Sequence, residues 1–173
     1  MPQKLLIVLC IILLLFVFPP KIHAVAQANG TGAAVCYYYT PMFAENDSLE
    51  WQARAVTGLA GSSEEAQMRS VFTALLDDRD CLAFPNGVRL LSLSYYQGLL
   101  VVNVSGAMEA YGGAAQEALV CQTLYRNASV FPQVQRLTLL IDGEAKPLPE
   151  GTLIENHPLY CAPGLLPLCN DSE

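Results

Sequence analysis

The residues that could carry chemistry are few. Beyond residue 26 the sequence holds one histidine, His157, and five cysteines: Cys36, Cys81, Cys121, Cys161 and Cys169. A thiol nucleophile needs a base held beside it to take its proton. His157 could serve Cys121 or Cys161, but it lies in His157-Pro158, inside a proline-bearing stretch without period. That context predicts an exposed loop residue rather than a positioned base. No CxxC spacing occurs, so a zinc site or a thioredoxin-like centre has no ligand set. Asp77, Asp78 and Asp80 offer oxygens to a hard cation, yet the twelve-residue spacing of a calcium loop is missing. They read as a solvated helix end. Gly112-Gly113 lacks the G-x-G-x-x-G context of a phosphate-binding turn, and glycine there serves the entry into a helix. No catalytic residue, metal ligand or cofactor site is expected.

What remains is packing and surface chemistry. Cys36 falls in a strand pattern and Cys121 in a helix pattern, and both read as small buried apolar side chains. The odd number leaves at least one thiol unpaired or bonded to another molecule. Cys161 and Cys169 flank a loop with Pro163, Gly164 and Pro167, and theirs is the one spacing that suggests a local disulfide. Tyr37, Tyr38, Tyr39, Tyr95 and Tyr96 form aromatic clusters on strands. Alternation buries some of them, and the exposed ones are the candidate contacts for a protein partner or a sugar.

These residues must be placed by elements that begin after an N-terminal leader. Lys4, the apolar run Leu5 to Phe18, Pro19-Pro20 and Ala24-Val25-Ala26 make a secretory signal peptide, with cleavage expected before Gln27. Fourteen apolar residues are short of the roughly 20 that span a bilayer. An uncleaved anchor is the alternative and would be the chain's one membrane contact. The remaining 147 residues suit one domain, Val35 to Leu148. A flexible lead-in, Gln27 to Ala34, precedes it, and a proline-rich tail, residues 149–173, wraps its surface or stays partly disordered. Sixteen acids against seven cations leave a net charge near -9, which disfavours nucleic acid and anionic lipid.

Val35 to Tyr39 is β-branched and aromatic, a strand. Leu49, Trp51, Ala53 and Ala55 alternate with Glu50, Gln52 and Arg54, the period-two pattern of a half-buried strand. Ser62-Ser63-Glu64-Glu65 spaces a serine three residues before a glutamate, as in a capping box. Met68, Val71, Phe72 and Leu75 then mark one helical face. Val88 to Tyr95 and Leu99 to Ser105 flank Gln97-Gly98 as a β-hairpin. Ala114, Ala118, Cys121, Tyr125 and Ala128 recur on one face of a second helix, with small residues at its start for close approach to a sheet. Phe131-Pro132 stops it. Arg136 to Ile141 is a strand, and Asp142-Gly143 turns toward a short last strand near Glu144 to Leu148. The expected fold class is α+β: a mixed, mostly antiparallel sheet with two helices packed on one face.

The ordered pieces resemble a GerMN domain, the module of sporulation and spore-germination lipoproteins. They are the aromatic strand Val35-Cys-Tyr-Tyr-Tyr39, the strand ending near Arg54-Ala-Val56, Leu75-Leu76, Phe84-Pro85-Asn86-Gly87 and the strand Leu100 to Ser105. Gly112-Gly113, the helical Glu117 to Leu124, Phe131-Pro132-Gln-Val134 and Leu139-Leu-Ile-Asp142-Gly143 complete the order. The resemblance implies an extracytoplasmic, non-enzymatic module of the cell or spore envelope in a Gram-positive bacterium, working by protein–protein assembly with envelope or sporulation proteins. It carries one module where the germination protein has two, and no lipobox. The alternative is a secreted module that binds glycan or peptide, peptidoglycan included, through exposed tyrosines. A thiol-dependent enzyme is the third reading.

Overall fold

The computed structural model describes residues 35–45 and 48–159. The signal peptide, the lead-in to Ala34, and Cys161 and Cys169 lie outside them. Strands β1 (Cys36–Phe43) and β2 (Leu49–Val56) come first, followed by helix α1 (Glu64–Asp77). Strands β3 (Leu90–Tyr96) and β4 (Leu99–Val104) come next, and then a short 3₁₀ turn, Gly106–Glu109. Helix α2 (Ala114–Ala128), strand β5 (Arg136–Ile141) and the two-residue β6 (His157–Pro158) complete the order.

The α+β class holds, with the strands in two sheets. β1 and β2 pair antiparallel as a sheet of their own, and β3-β4-β5-β6 form a mixed sheet in which β4 and β5 run parallel. The separation has a physical cause on α2. The buried Asn127 side chain bonds both backbone groups of Tyr39, where a neighbouring strand would otherwise pair.

α1 forms as its sequence dictates. Met68, Val71, Phe72 and Leu75 are fully buried. Its N-cap is Ser63, whose Oγ accepts from the Ala66 N–H, so the cap sits one residue later than the Ser62/Glu65 spacing implies. Glu65 turns instead toward Arg69 and the Tyr95 N–H. The β3–β4 hairpin closes on Gln97 and Gly98, both at positive φ (48° and 80°), the backbone a two-residue turn requires to match strand twist. β4, α2 and β5 then make a parallel crossover. Leu100, Val102 and Val104 pair with Leu137, Leu139 and Ile141 on the buried face of the sheet, in one core with the helix stripes.

Two expectations are corrected. Ala114 and Ala118 face solvent, and the buried stripe of α2 runs instead through Glu117, Val120, Cys121, Leu124, Tyr125 and Ala128. Glu117 rotates the helix because its carboxylate collects backbone donors from a distant loop. The last strand is not at Glu144 to Leu148, where a single bridge between Ile141 and Glu144 closes the Asp142-Gly143 turn. Pro147 and Pro149 have no N–H to continue a ladder. The chain turns back at Leu148–Thr152, and the segment 154–159 straps along β5, with Leu139 N–H donating to Ile154 and Leu159 N–H to Gln135. Ile154 and Leu159 are buried beneath it.

Candidate functional site

The thiols are placed for packing. Cys36, Cys81 and Cys121 are free and buried. Burial, and next to it the nearby Glu117 charge, pushes the Cys121 thiol up to about 11. Burial likewise pushes Cys81 up to about 11 despite backbone hydrogen bonds that oppose it, and burial raises Cys36. At neutral pH a thiol of pKa 11 is ionised in about one molecule in ten thousand, a poor nucleophile. His157 is not an exposed loop residue. It is half-buried and stacked on Tyr125, ring centroids 4.6 Å apart and 13° from parallel, because the strap carries it onto α2. Its Nε2 has no hydrogen-bond partner among the described residues. No hydrogen bond joins His157 to Cys121 there, so that pair does not form; Cys161, the other thiol considered, lies outside the described residues.

The acids are structural. Asp78 is not part of a solvated end. Its side chain is 5% exposed, accepts from the Tyr38 hydroxyl at 3.2 Å and pairs with Arg54 at 3.0 Å. Arg54 also reaches Asp80 at 3.4 Å. No group of three or more His, Cys, Asp or Glu side chains among the described residues could hold a metal ion. Glu117, 2% exposed, accepts from the N–H groups of Glu150 (2.6 Å) and Thr152 (2.9 Å) and from the Tyr111 hydroxyl. Burial alone would raise its carboxyl, but the hydrogen bonds from Thr152, Glu150 and Tyr111 outweigh it and hold the group below the usual carboxylate range.

The distinctive surface is the outer face of the β1–β2 hairpin. The inner face carries Cys36, Tyr38, Thr40 and Arg54 toward the core and Asp78. The outer face pairs Tyr37 with Ala55, Tyr39 with Ala53, Pro41 with Trp51 and Phe43 with Leu49, eight positions without a charge. Tyr37 (44%), Phe43 (60%) and Leu49 (38%) are exposed there. The one cation on this face comes from α2: the Arg126 guanidinium lies 4.9 Å from the ring centres of both Tyr39 and Trp51. Burial lowers its pKa, and Nε has no hydrogen-bond partner among the described residues, so the two rings are its main support.

The five tyrosines therefore do not share a surface. Tyr37 and Tyr39 stand on this face. Tyr38, 9% exposed, is in the core. Tyr95 is half-buried and donates to the Gln133 carbonyl, and Tyr96, 72% exposed, sits at the end of the other sheet. Phe43, Trp51 and Arg126 were not among the candidate contacts. The alternation of Leu49, Trp51, Ala53 and Ala55 is the signal that could have found the face, but its apolar side points outward, because Arg54 turns inward to meet Asp78.

A shallow cleft of about 530 Å³ lies between the end of α1 and the Pro85-Asn86-Gly87 turn. It holds Arg79 and Arg89 beside Asp77 and Asp78, and no buried unpartnered group among the described residues is aimed into it. Fold and surface define a class, an α+β domain marked by an apolar hairpin face rather than by a cleft of reactive groups. The family model for Germane, sporulation and spore germination, matches residues 35–147, and the chain belongs to that family. The first GerMN domain of the sporulation protein GerM from Bacillus subtilis is similar in fold, with a TM-score of 0.50 at 15% identity, covering 70% of this chain and 95% of that one. The tandem GerMN domains of the same protein give a TM-score of 0.52 at 14% identity, covering 79% of this chain and 50% of that one. This chain thus matches half the length of the tandem protein. No curated protein matches it.

Proposed function

We propose that this chain is an exported, non-enzymatic assembly module of the cell or spore envelope that serves sporulation or germination by binding other proteins. The observation that carries the reading is the outer hairpin face, where Tyr37, Phe43 and Leu49 stay exposed among eight uncharged strand positions, with Arg126 of α2 as the cation beside them. Soluble domains seldom leave a contiguous apolar face to water unless a partner covers it. The family membership supports a setting in sporulation or germination, and the apolar run Leu5 to Phe18 with the small residues after it supports export. Buried, high-pKa thiols and a histidine stacked in the structure support a module without chemistry. The dispersal of the five tyrosines favours protein assembly over a tyrosine-lined glycan platform.

A photo-crosslinking residue in place of Leu49, in sporulating cells, tests the reading. Expected is an adduct with an envelope or sporulation protein, absent when the same residue replaces the slightly more exposed Leu153 away from the hairpin. A chain recovered free in the extracellular fluid, with no hairpin-specific adduct, would sink it.

A further inference from the structure

Among the described residues, strand β2 is an open edge, and its sequence is complementary to itself. The direction of its backbone groups follows from Asn127. The N–H and C=O of Tyr39 both bond the Asn127 side chain, on the side away from β2, at 2.7 and 2.8 Å. Tyr39 and Ala53 are therefore a non-hydrogen-bonded pair of the hairpin. The alternation of an antiparallel ladder then turns the N–H and C=O of Leu49, Trp51, Ala53 and Ala55 away from β1. Pro41, opposite Trp51, fits the same phase, having no N–H to give. Among the described residues no hydrogen bond reaches these outward N–H groups. The strand has no proline or bulge to blunt the edge, and its two charges, Glu50 and Arg54, are of opposite sign.

An antiparallel copy of β2 meets this edge in phase. With a two-fold axis through Gln52, Trp51 faces the partner's Ala53 and Leu49 faces the partner's Ala55, each a large apolar side chain beside a small one. Glu50 stands opposite the partner's Arg54, and the relation repeats by symmetry. Glu50 would supplement the longer 3.4 Å leg that Arg54 makes to Asp80, whose side chain is 79% exposed. Shifting the axis to Ala53 sets Glu50 against Val56, and shifting it to Trp51 sets that ring against itself. Only the Gln52 register matches charge and size together.

We propose that a second copy of this chain docks on β2 in this register and builds a four-stranded β1-β2-β2-β1 sheet. The two apolar hairpin faces become one continuous surface. The inference rests on the reading of the hairpin as an assembly surface and names its partner.

The test uses the natively processed chain. Gln52→Cys places two sulfurs on the axis, at a pair whose Cα atoms lie about 4.5 Å apart, within disulfide reach. Mild oxidation is expected to give a covalent dimer well above that of the parent chain, while Glu50→Cys, four residues from its own copy across the axis, stays at the parent level. Sedimentation is expected to show a dimer. Ala53→Pro, which removes an N–H unused within one copy, is expected to weaken it roughly ten- to a hundredfold with the thermal midpoint retained. Glu50→Arg is expected to weaken it about tenfold by setting like charges opposite each other. A monomer at high micromolar concentration, with Gln52→Cys linking no faster than Glu50→Cys, overturns the proposal. If Leu49 still captures an envelope protein in that case, the assembly reading stands without self-pairing. If the dimer forms and no envelope adduct does, self-pairing stands and the envelope reading falls.

Discussion

Glu117→Gln isolates what one buried carboxylate does for this fold. In the native chain each Glu117 oxygen accepts a backbone N–H, Oε2 from Glu150 and Oε1 from Thr152, with the Tyr111 hydroxyl on Oε2 as well. A glutamine keeps one acceptor and turns its NH₂ against one of those donors. One charge-assisted bond is lost, its donor is left facing the amide NH₂, and the other bond becomes neutral. At about 1.5–3 kcal/mol for a hydrogen bond to a charged group, the sum is about 3 kcal/mol. For a domain of this size that lowers the thermal midpoint by roughly 10 °C. The pH dependence carries a second signature. The folded carboxyl sits below its ordinary value, so the unfolded chain binds the proton more readily. The stability it contributes is complete above about pH 5 and is lost as pH falls through the folded pKa. Urea titrations of both proteins from pH 7 to pH 3 measure the effect, with the variant showing a shallower acid loss. A variant within about 0.5 kcal/mol of the parent at pH 7, with the same acid slope, would refute the claim that Glu117 holds the 150–152 loop onto α2.

Other outcomes follow from the same contacts. Asn127→Ala removes three hydrogen bonds, two to Tyr39 and one to the Thr123 carbonyl, and is expected to cost about 2–4 kcal/mol in urea denaturation, with β1 amides exchanging first. Asp78→Ala strips the Tyr38 hydroxyl and Arg54 of their shared buried acceptor; about 2–3 kcal/mol is expected, only weakly reduced by 0.5 M salt, in thermal melts across ionic strength. Cys81 and Cys121, with thiols near pKa 11, are expected to resist iodoacetamide at pH 7.5 for hours in the folded chain and to react within minutes in denaturant, read by intact mass.

The legible parts of this fold are those where periodicity and burial agree. α1 announced its core stripe because every residue on it is apolar, and Gln97-Gly98 announced a turn because the flanking runs are strongly β-forming. α2 misled because its inward face includes an acid, and no pattern within the helix reveals that Glu150 and Thr152, more than thirty residues later, will supply the donors. The alternation in β2 gave the strand but not its orientation. Side-chain polarity alone cannot say that Arg54 turns inward, since the reason is Asp78 on another element. His157 read as loop because its partner, the Tyr125 ring, comes from α2. In each case the missing information was a contact across sequence distance, which local spacing does not encode.

The strap that closes β5 has a kinetic consequence. β5 is complete at Ile141, whose N–H is met at once by Glu144, yet the groups that satisfy its outer edge from Gln135 to Leu139 arrive only with residues 154–159. A chain synthesised from its N-terminus therefore carries an unsatisfied apolar strand edge until nearly twenty more residues emerge. Final closure of the sheet waits for residues 154–159. Before that, the Arg136–Leu139 edge is the place for a holding chaperone or a misfolded neighbour to attach.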